Sequence, residues 1–226
     1  MALATIADKP LSALTVLQPR RGRWTTTFAL EPDDTDTPPD LSSPVRLVID
    51  ANDATLLDLT GMMAGTLAFG TVVGTGRGGK GDIGKTAKPV HYRSTTLRRI
   101  VEDLLATAGE SLSSTSDASL LAQQFEEYSV HAQPIGVVLA KLMEVAGDGF
   151  TWRFTDDGAL WLGKDTFPAF TGDWNIVSEL PIDNAVDIVM GASHLPRPGE
   201  SLDGRNIEMV QTRIDSDGIF VRVFFA

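Results

Sequence analysis

The sequence predicts an α+β fold, an antiparallel β-barrel or sandwich that carries a small α/β insert with two helices. Three observations lead there. Strand-type alternation fills the first third of the 226 residues and returns after Gly149. Helical periodicity is confined to two stretches between Ser94 and Gly147. Two turn signals, Asp156-Asp157-Gly158 and Asp215-Ser216-Asp217-Gly218, each lie between strand-like runs, as hairpins require.

In order along the chain, Trp24, Phe28 and Leu30 share one face of an extended run while Thr25, Thr27 and Ala29 share the other. Val45, Leu47 and Ile49 alternate in the same way against Arg46 and Asp50. Between these runs, Glu31 to Pro44 holds four prolines and five acidic residues. Its apolar surface is too small to offset the entropy of ordering, so it reads as a mobile loop joining two strands. Gly61 to Val73 reads as a further strand pair. Gly74 to Gly84, with six glycines, reads as a flexible connection.

Helix begins after Ser94, which is placed to act as its N-cap. Leu97, Ile100, Val101, Leu104, Leu105 and Ala108 recur at helical spacing, and Gly109 stands at the C′ position. A second helix spans about Ile135 to Ala146 and stops at Gly147. At an offset of 38 residues the apolar positions of the two helices coincide one by one, so the helices are expected to pack side by side. Two hairpins follow, Phe150–Phe154 with Ala159–Leu162 and Asn206–Ile214 with Ile219–Phe225, and a loop holds Pro196, Pro198 and Gly199. The organisation expected is a β unit over 1–88 with its loop at 31–44, the insert over 89–170, and returning strands over 171–226. Both chain ends are expected to complete the barrel.

Composition narrows function. Hydrophobic residues make up 42% and charged residues 22%, which is globular composition. Nineteen basic against thirty acidic residues give a net charge of −11, opposite to what neutralising phosphates demands. With no cysteine, disulfides, thiolate zinc sites and cysteine nucleophiles are excluded. The opening MALATIADKP gives no sign of a secretory signal, and no apolar run approaches the ~20 residues of a membrane helix. A protein made in the cytoplasm, with no membrane insertion, is expected.

The sharpest motif is Gly79-Lys80-Gly81-Asp82-Ile83-Gly84-Lys85-Thr86, a full match to G-x-x-x-x-G-K-[ST]. In a nucleotide site its N–H groups would cradle phosphates, Lys85 would reach the terminal phosphate and Thr86 would hold magnesium. That geometry needs a helix starting at the lysine, whereas Pro89 biases Lys88 away from helical dihedrals and Val90–Tyr92 looks extended. No run ending in Asp lies downstream; Leu47-Val48-Ile49-Asp50 precedes the loop. The match is therefore read as a coincidence in a glycine-rich loop.

Other chemistry is thin. His91, His131 and His194 are far apart in sequence and suggest no metal site. Asp33, Asp34, Asp36 and Asp40 lack the glycine and terminal glutamate of a calcium loop. Glu126-Glu127 and Asp156-Asp157 are adjacent pairs, which a strand sends to opposite faces. Trp152 and Trp161 flank the Asp156–Gly158 turn and read as core aromatics facing one another. No G-x-S-x-G occurs. No catalytic, cofactor or metal residues are assigned, and an enzyme is not expected.

Against this background the element order carries a resemblance. GTLAFGTVV (Gly65–Val73) and a glycine loop lead into VHYRSTTLRRIVEDLLATAG (Val90–Gly109). That second segment resembles the Y, spacer, T-L-x-x-I-x-x-D-x-L-x-x-A-G stretch of phage baseplate and tail hub proteins. The helix ending Val145-Ala146-Gly147 and the hairpin Thr151–Gly163 resemble the continuation of that family's insert. Leu195–Gly204 and the strands after it resemble its returning tube-like domain. The resemblance covers most of residues 10 to 225. It implies a structural virion protein at the tail tip, a homotrimeric hub whose paired tube-like domains imitate the six-fold tail tube. A tail tube or distal tail protein would lie above it, and a spike or fibre below. DNA would pass through without specific binding, and acids on the lumen would keep phosphate from sticking. No cofactor is implied. Two other readings stand beside it, a P-loop nucleotide-binding enzyme and a β-rich carbohydrate- or protein-binding module of a tail fibre.

Overall fold

One long strand, β2 (Lys9–Pro19), is the wall that two β units share. The computed structural model describes residues 3–31, 39–51, 54–68, 71–190 and 194–226. Around β2 stand β1 (Ala4–Ile6), β3 (Thr25–Leu30), β4 (Val45–Ala51), β5 (Ala54–Ala68) and β6 (Thr71–Gly78). They pair antiparallel in the order β1-β4-β5-β6-β3-β2, and β1 pairs back onto Lys9 and Pro10, closing a six-stranded barrel. Alternation sets its interior. Ile6, Leu14, Val16, Leu47, Ile49, Leu57 and Leu59 are buried, as period-2 strands of a closed sheet require. Thr26 is buried on the same face as Trp24 and Phe28, and its hydroxyl donates to the Thr15 carbonyl at 2.8 Å, which offsets the cost of desolvating it.

The edge of β2 away from β3 is divided. Its first two residues meet β1, and Leu14–Pro19 pair with β14 (Arg205–Asp215). From there the sheet continues through β15 (Gly218–Phe225) and β12 (Ala185–Met190) to β11 (Trp174–Leu180), with short β13 (Ser201–Leu202) also on β14. The barrel therefore closes from its own first six strands. The C-terminal strands do not complete it; they extend the sheet outward from β2, because β1 takes only two residues of that edge.

Between β6 and β11 runs the insert, comprising β7 (Val90–Thr96), α1 (Leu97–Ala108), the one-turn α2 (Ala118–Leu121), β8 (Gln124–Val130), α3 (Ile135–Ala146), β9 (Phe150–Phe154) and β10 (Leu160–Lys164). β7 pairs with β8 and β9 with β10, each as a two-stranded antiparallel ribbon. Both long helices run twelve residues, 38 apart, as the sequence repeat predicts. Leu97, Ile100, Val101, Leu104 and Leu105 are buried on α1, and Ile135, Val138, Leu139, Leu142 and Met143 at the matching positions of α3. The two helices contact each other within this layer.

Several expectations are corrected. The α1 cap is Thr96, whose Oγ1 accepts from the Arg99 N–H at 3.3 Å. Ser94 instead lies within β7 at φ 45°, because the strand runs on to the cap. Gly109 ends α1 at φ 77°, as read. The hairpin expected from Gly61 to Val73 is longer, β5 and β6 together reaching from Ala54 to Gly78, so Gly74, Gly76 and Gly78 are strand residues. A Cβ on Gly74 would strike the Phe28 ring, and one on Gly76 the Met63 side chain. These glycines serve close packing, and flexibility is not their purpose. Of the loop between β3 and β4, positions 32–38 lie outside the described residues. No helix among the described residues is long and apolar enough to cross a membrane.

Candidate functional site

The phosphate-loop match folds into a joint between the barrel and both helices. β6 delivers Gly79 at φ +96°, and the chain then turns under the C-terminal end of α1. The Lys80 N–H donates to Glu110 Oε2 at 2.8 Å, and the Asp82 N–H to the Ala108 carbonyl at 2.9 Å. The Gly84 N–H is taken by Asp82 Oδ1 at 2.9 Å. Lys85 Nζ reaches the Ala108 carbonyl at 3.5 Å. The loop's carbonyls serve the other helix. Ile83 and Lys85 accept from the N–H groups of Gly136 and Ile135, at 2.9 and 3.0 Å. Those groups are the open donors of an α3 N-terminus that begins with Pro134 and has no side-chain cap.

No helix follows Thr86. It forms an isolated bridge with Pro134, and β7 starts four residues later. The loop's donors thus meet carboxylates and carbonyls of this chain, and the geometry of a nucleotide cradle is not assembled. Arg23 and Arg77 each reach Asp82 at 3.5 Å from the barrel side. The Asp82 carboxyl is held below its ordinary value by the Gly84 N–H first and then by the two arginines, against some desolvation. Burial raises Glu110 above its ordinary value, against the N–H groups of Lys80 and Gly81.

Beside this joint lies a cleft of about 620 Å³ between the barrel end, the β9–β10 hairpin and the segment before β13. Asp165 is its anchor, with a side chain 1% exposed that pairs with Arg153 and, at 3.4 Å, with Arg20. Arg20 Nε also donates to Glu208 Oε2 at 2.6 Å. Across the cleft Arg197 meets Asp156 at 2.7 Å, and burial still raises the Asp156 carboxyl above its ordinary value. Asp157 turns into its own hairpin, accepting from the Thr155 hydroxyl at 2.6 Å, and is held low by that bond. Glu200 accepts from the Arg197 N–H at 2.8 Å, and Lys164 Nζ lies 4.5 Å over the Phe150 ring. The Asp165 and Asp156 pairs tie three segments together.

The remaining candidates scatter. His91 shares a hydrogen bond with Ser129 at 2.9 Å, His131 lies past the end of β8, and His194 packs on the Phe170 ring at 4.9 Å. Among the described residues no three His, Asp or Glu side chains converge as a metal site would require. Asp33, Asp34 and Asp36 fall outside the described residues, and Asp40 accepts from the Ser42 N–H. Glu127 lies on β8 opposite Arg93, next to Glu126. Trp152 and Trp161 do not face one another. Trp152 is paired with Leu162, while Trp161 is opposite Arg153, whose guanidinium sits 4.1 Å over its ring. The register sends adjacent positions to opposite faces.

Neither a protein-family model nor a curated protein matches the sequence. Solved structures do. A tail protein of prophage MuSo2 from Shewanella oneidensis superposes with a TM-score of 0.64 at 8% identity, covering 99% of this chain and 96% of that one. The chain has the fold of a phage tail protein. A tail protein from Neisseria meningitidis MC58 shares this tail-protein fold at TM-score 0.61 and 10% identity, with 98% and 95% of the two chains covered. An E. coli component of the type VI secretion system, described as similar in structure to the T4 bacteriophage tail proteins gp27 and gp5, matches at TM-score 0.60 and 12% identity. That match covers 99% of this chain and 76% of the other. The resemblance to tail and baseplate proteins drawn from Val90–Gly109 and its flanks is borne out in the fold. Sequence reasoning missed the Arg20–Asp165–Arg153 cluster, whose members are distant in the chain and share no motif.

Proposed function

We propose that this protein is a structural component of a phage tail, acting as the hub at the distal end of the tail tube. The observation that carries the reading is a likeness extending over nearly the whole chain to three proteins, two described as tail proteins and one as similar to gp27 and gp5. Two features of the chain support it. The closed barrel and the open sheet grown from β2 are paired β units, as a subunit that imitates two positions of a six-fold tube needs. Asp165, Asp156 and Asp82 each bind arginines from distant segments, as a mechanical joint needs.

In this reading residues 1–88 form one tube-like unit, 89–170 the insert and 171–226 the strands of the second unit. Three copies make a ring on the tail axis that meets the tube above and a spike or fibre below. The mechanism is symmetry adaptation. Binding energy is spread over repeated edges, and the acidic balance disfavours adhesion of passing DNA.

Cryo-electron microscopy of assembled tails tests it. Three copies around the channel at the tube's end are expected, and density for this chain away from the axis would overturn the hub.

A further inference from the structure

We propose that the cleft between the barrel end and the β9–β10 hairpin binds an extended, uncharged peptide segment, with one of its main-chain amides held by Gln18 and Trp24. This site stands independently of the hub reading.

Two side chains at the barrel end are left unfinished. β2 and β3 pair as far as Leu17 opposite Thr25. Gln18 and Trp24 stand one step beyond, on the inward face that Val16 and Thr26 share, and are 8% and 3% exposed. Both line the cleft. Gln18 Oε1, an acceptor, and the Trp24 Nε1–H, a donor, have no hydrogen-bond partner among the described residues. Buried polar groups are paired as a rule, and an unpaired one requires a reason. Thr26 shows the ordinary solution on the same face, since its hydroxyl donates to the Thr15 carbonyl. Neither of the two open atoms touches bulk water, so each stays unsatisfied until a group enters, and the long Gln18 side chain can turn its amide to meet one.

The cleft wall is a second, independent signal. Thr166 and Pro168 line it, and Phe167 between them stands at φ 47°. A bulky residue seldom takes left-handed backbone, and a residue before proline is ordinarily extended. Contacts hold it there. The Arg20 guanidinium lies 5.6 Å over the Phe167 ring, and the Ser201 hydroxyl donates to the Phe167 carbonyl at 3.1 Å. Strain that the surroundings maintain in this way collects at ligand clamps.

Chemistry selects the occupant. An acceptor and a donor on adjacent strands are met together by one group that both donates and accepts, an amide or a hydroxyl. Three basic side chains line the cleft against four acidic ones, a near balance that favours no ion. A sugar would bring hydroxyls but rests on an open aromatic face. The rings here are taken, because Trp24 and Phe154 are buried and Trp161 carries the Arg153 guanidinium at 4.1 Å. Pro19, Pro168 and Pro198 line the cleft instead, flat apolar surfaces suited to an extended main chain. Its volume of about 620 Å³ is that of a ligand pocket.

The test is an NMR titration of the full chain carrying isotope-labelled tryptophan, with N-acetyl-trialanine N-methylamide as the probe and maltotriose as the sugar arm. The Trp24 indole N–H signal, assigned with Trp24→Phe, is expected to move downfield and saturate with the peptide at a millimolar Kd. The signal of Trp174, on β11, should stay in place, and maltotriose should move neither. Gln18→Met, close in volume, should weaken the peptide by roughly fivefold. An unchanged Trp174 signal shows that this variant is folded, and the parent titration decides without it if it is not. A saturable shift with maltotriose alone assigns a sugar. No shift of Trp24 with either probe leaves the two atoms to internal water, and a Kd unaltered in folded Gln18→Met puts the peptide elsewhere. Each of these three results overturns the site.

Discussion

The backbone N–H of Lys80 donates to Glu110 Oε2 at 2.8 Å, so a carboxylate of the chain itself occupies the cradle that the G-x-x-x-x-G-K-T string would hold out to phosphate. Glu110 follows directly on the Gly109 cap of α1, and the bond therefore fixes the barrel's last strand to the helix end. The motif is retained as shape: small residues let the backbone slide under α1.

The first prediction separates that role from phosphate binding. A Cβ on Gly81 would lie 2.6 Å from the Gly109 carbonyl oxygen and closer still to that of Ala108, both backbone atoms that cannot give way. Gly81→Ala should therefore cost ~1–3 kcal/mol in urea unfolding. Gly84→Ala, whose nearest neighbour is the Asp82 side chain, should cost less than about 1 kcal/mol. Calorimetric titration with Mg-ATP should give no heat of binding for the parent chain or for Lys85→Ala. A Kd for the parent that Lys85→Ala abolishes would restore the nucleotide reading.

The same joint predicts two opposite dependences on pH. Asp82 has a folded pKa below its ordinary 3.8, so its contribution is present above that value and is lost as the pH falls through the folded one. Glu110 has a folded pKa above its ordinary 4.5, so its contribution is present below 4.5 and is lost as the pH rises through the folded value. Stability measured by urea unfolding across the acid range should respond accordingly. Asp82→Asn should flatten the rise in stability just below pH 3.8. Glu110→Gln should remove a fall just above pH 4.5. Slopes that change in the same sense in both variants would refute the assignment.

What could be read from the sequence was what is local. The bounds of α3, the Gly109 cap and the hairpins at Gly158 and Gly218 follow from helical periodicity and turn chemistry within a few residues. β2 escaped because a register shift between Leu11 and Ala13 breaks its alternation and buried Gln18 disguises its inner face. The glycines of β6 suggested flexibility because their cause, the bulk of Phe28 and Met63, sits on other strands. The cleft was illegible for a stronger reason. Arg20 lies 145 residues from Asp165 and 188 from Glu208, and only the fold makes them neighbours.

That long-range cluster makes the third prediction. Asp165 is almost wholly buried and receives two arginines whose own side chains are 12% and 26% exposed. Removing the acid leaves Arg153 without its carboxylate in a poorly solvated place and Arg20 with Glu208 alone. Asp165→Ala should therefore destabilise the chain by ~3–5 kcal/mol. Arg197→Ala, which unpairs the half-exposed Asp156, should cost less. Urea unfolding of the two variants gives the comparison, and equal losses would show that Asp165 is not the anchor.

The last prediction concerns the two helices. Leu104 of α1 and Leu142 of α3 occupy equivalent positions of the 38-residue repeat, and both are buried, at 4% and 0% exposure. If the helices form one layer with equivalent inward faces, truncating either leucine opens a cavity of similar size in similar surroundings. Leu104→Ala and Leu142→Ala should each cost ~2–5 kcal/mol, with values within about 1 kcal/mol of each other. Exposed Val145, one helical position before Ala146 and 61% accessible, is the control, and Val145→Ala should stay within about 0.5 kcal/mol. Chemical denaturation with a constant m-value would establish the equivalence. A large loss at Leu142 with almost none at Leu104 would show that α3 alone carries the layer and that α1 merely covers it.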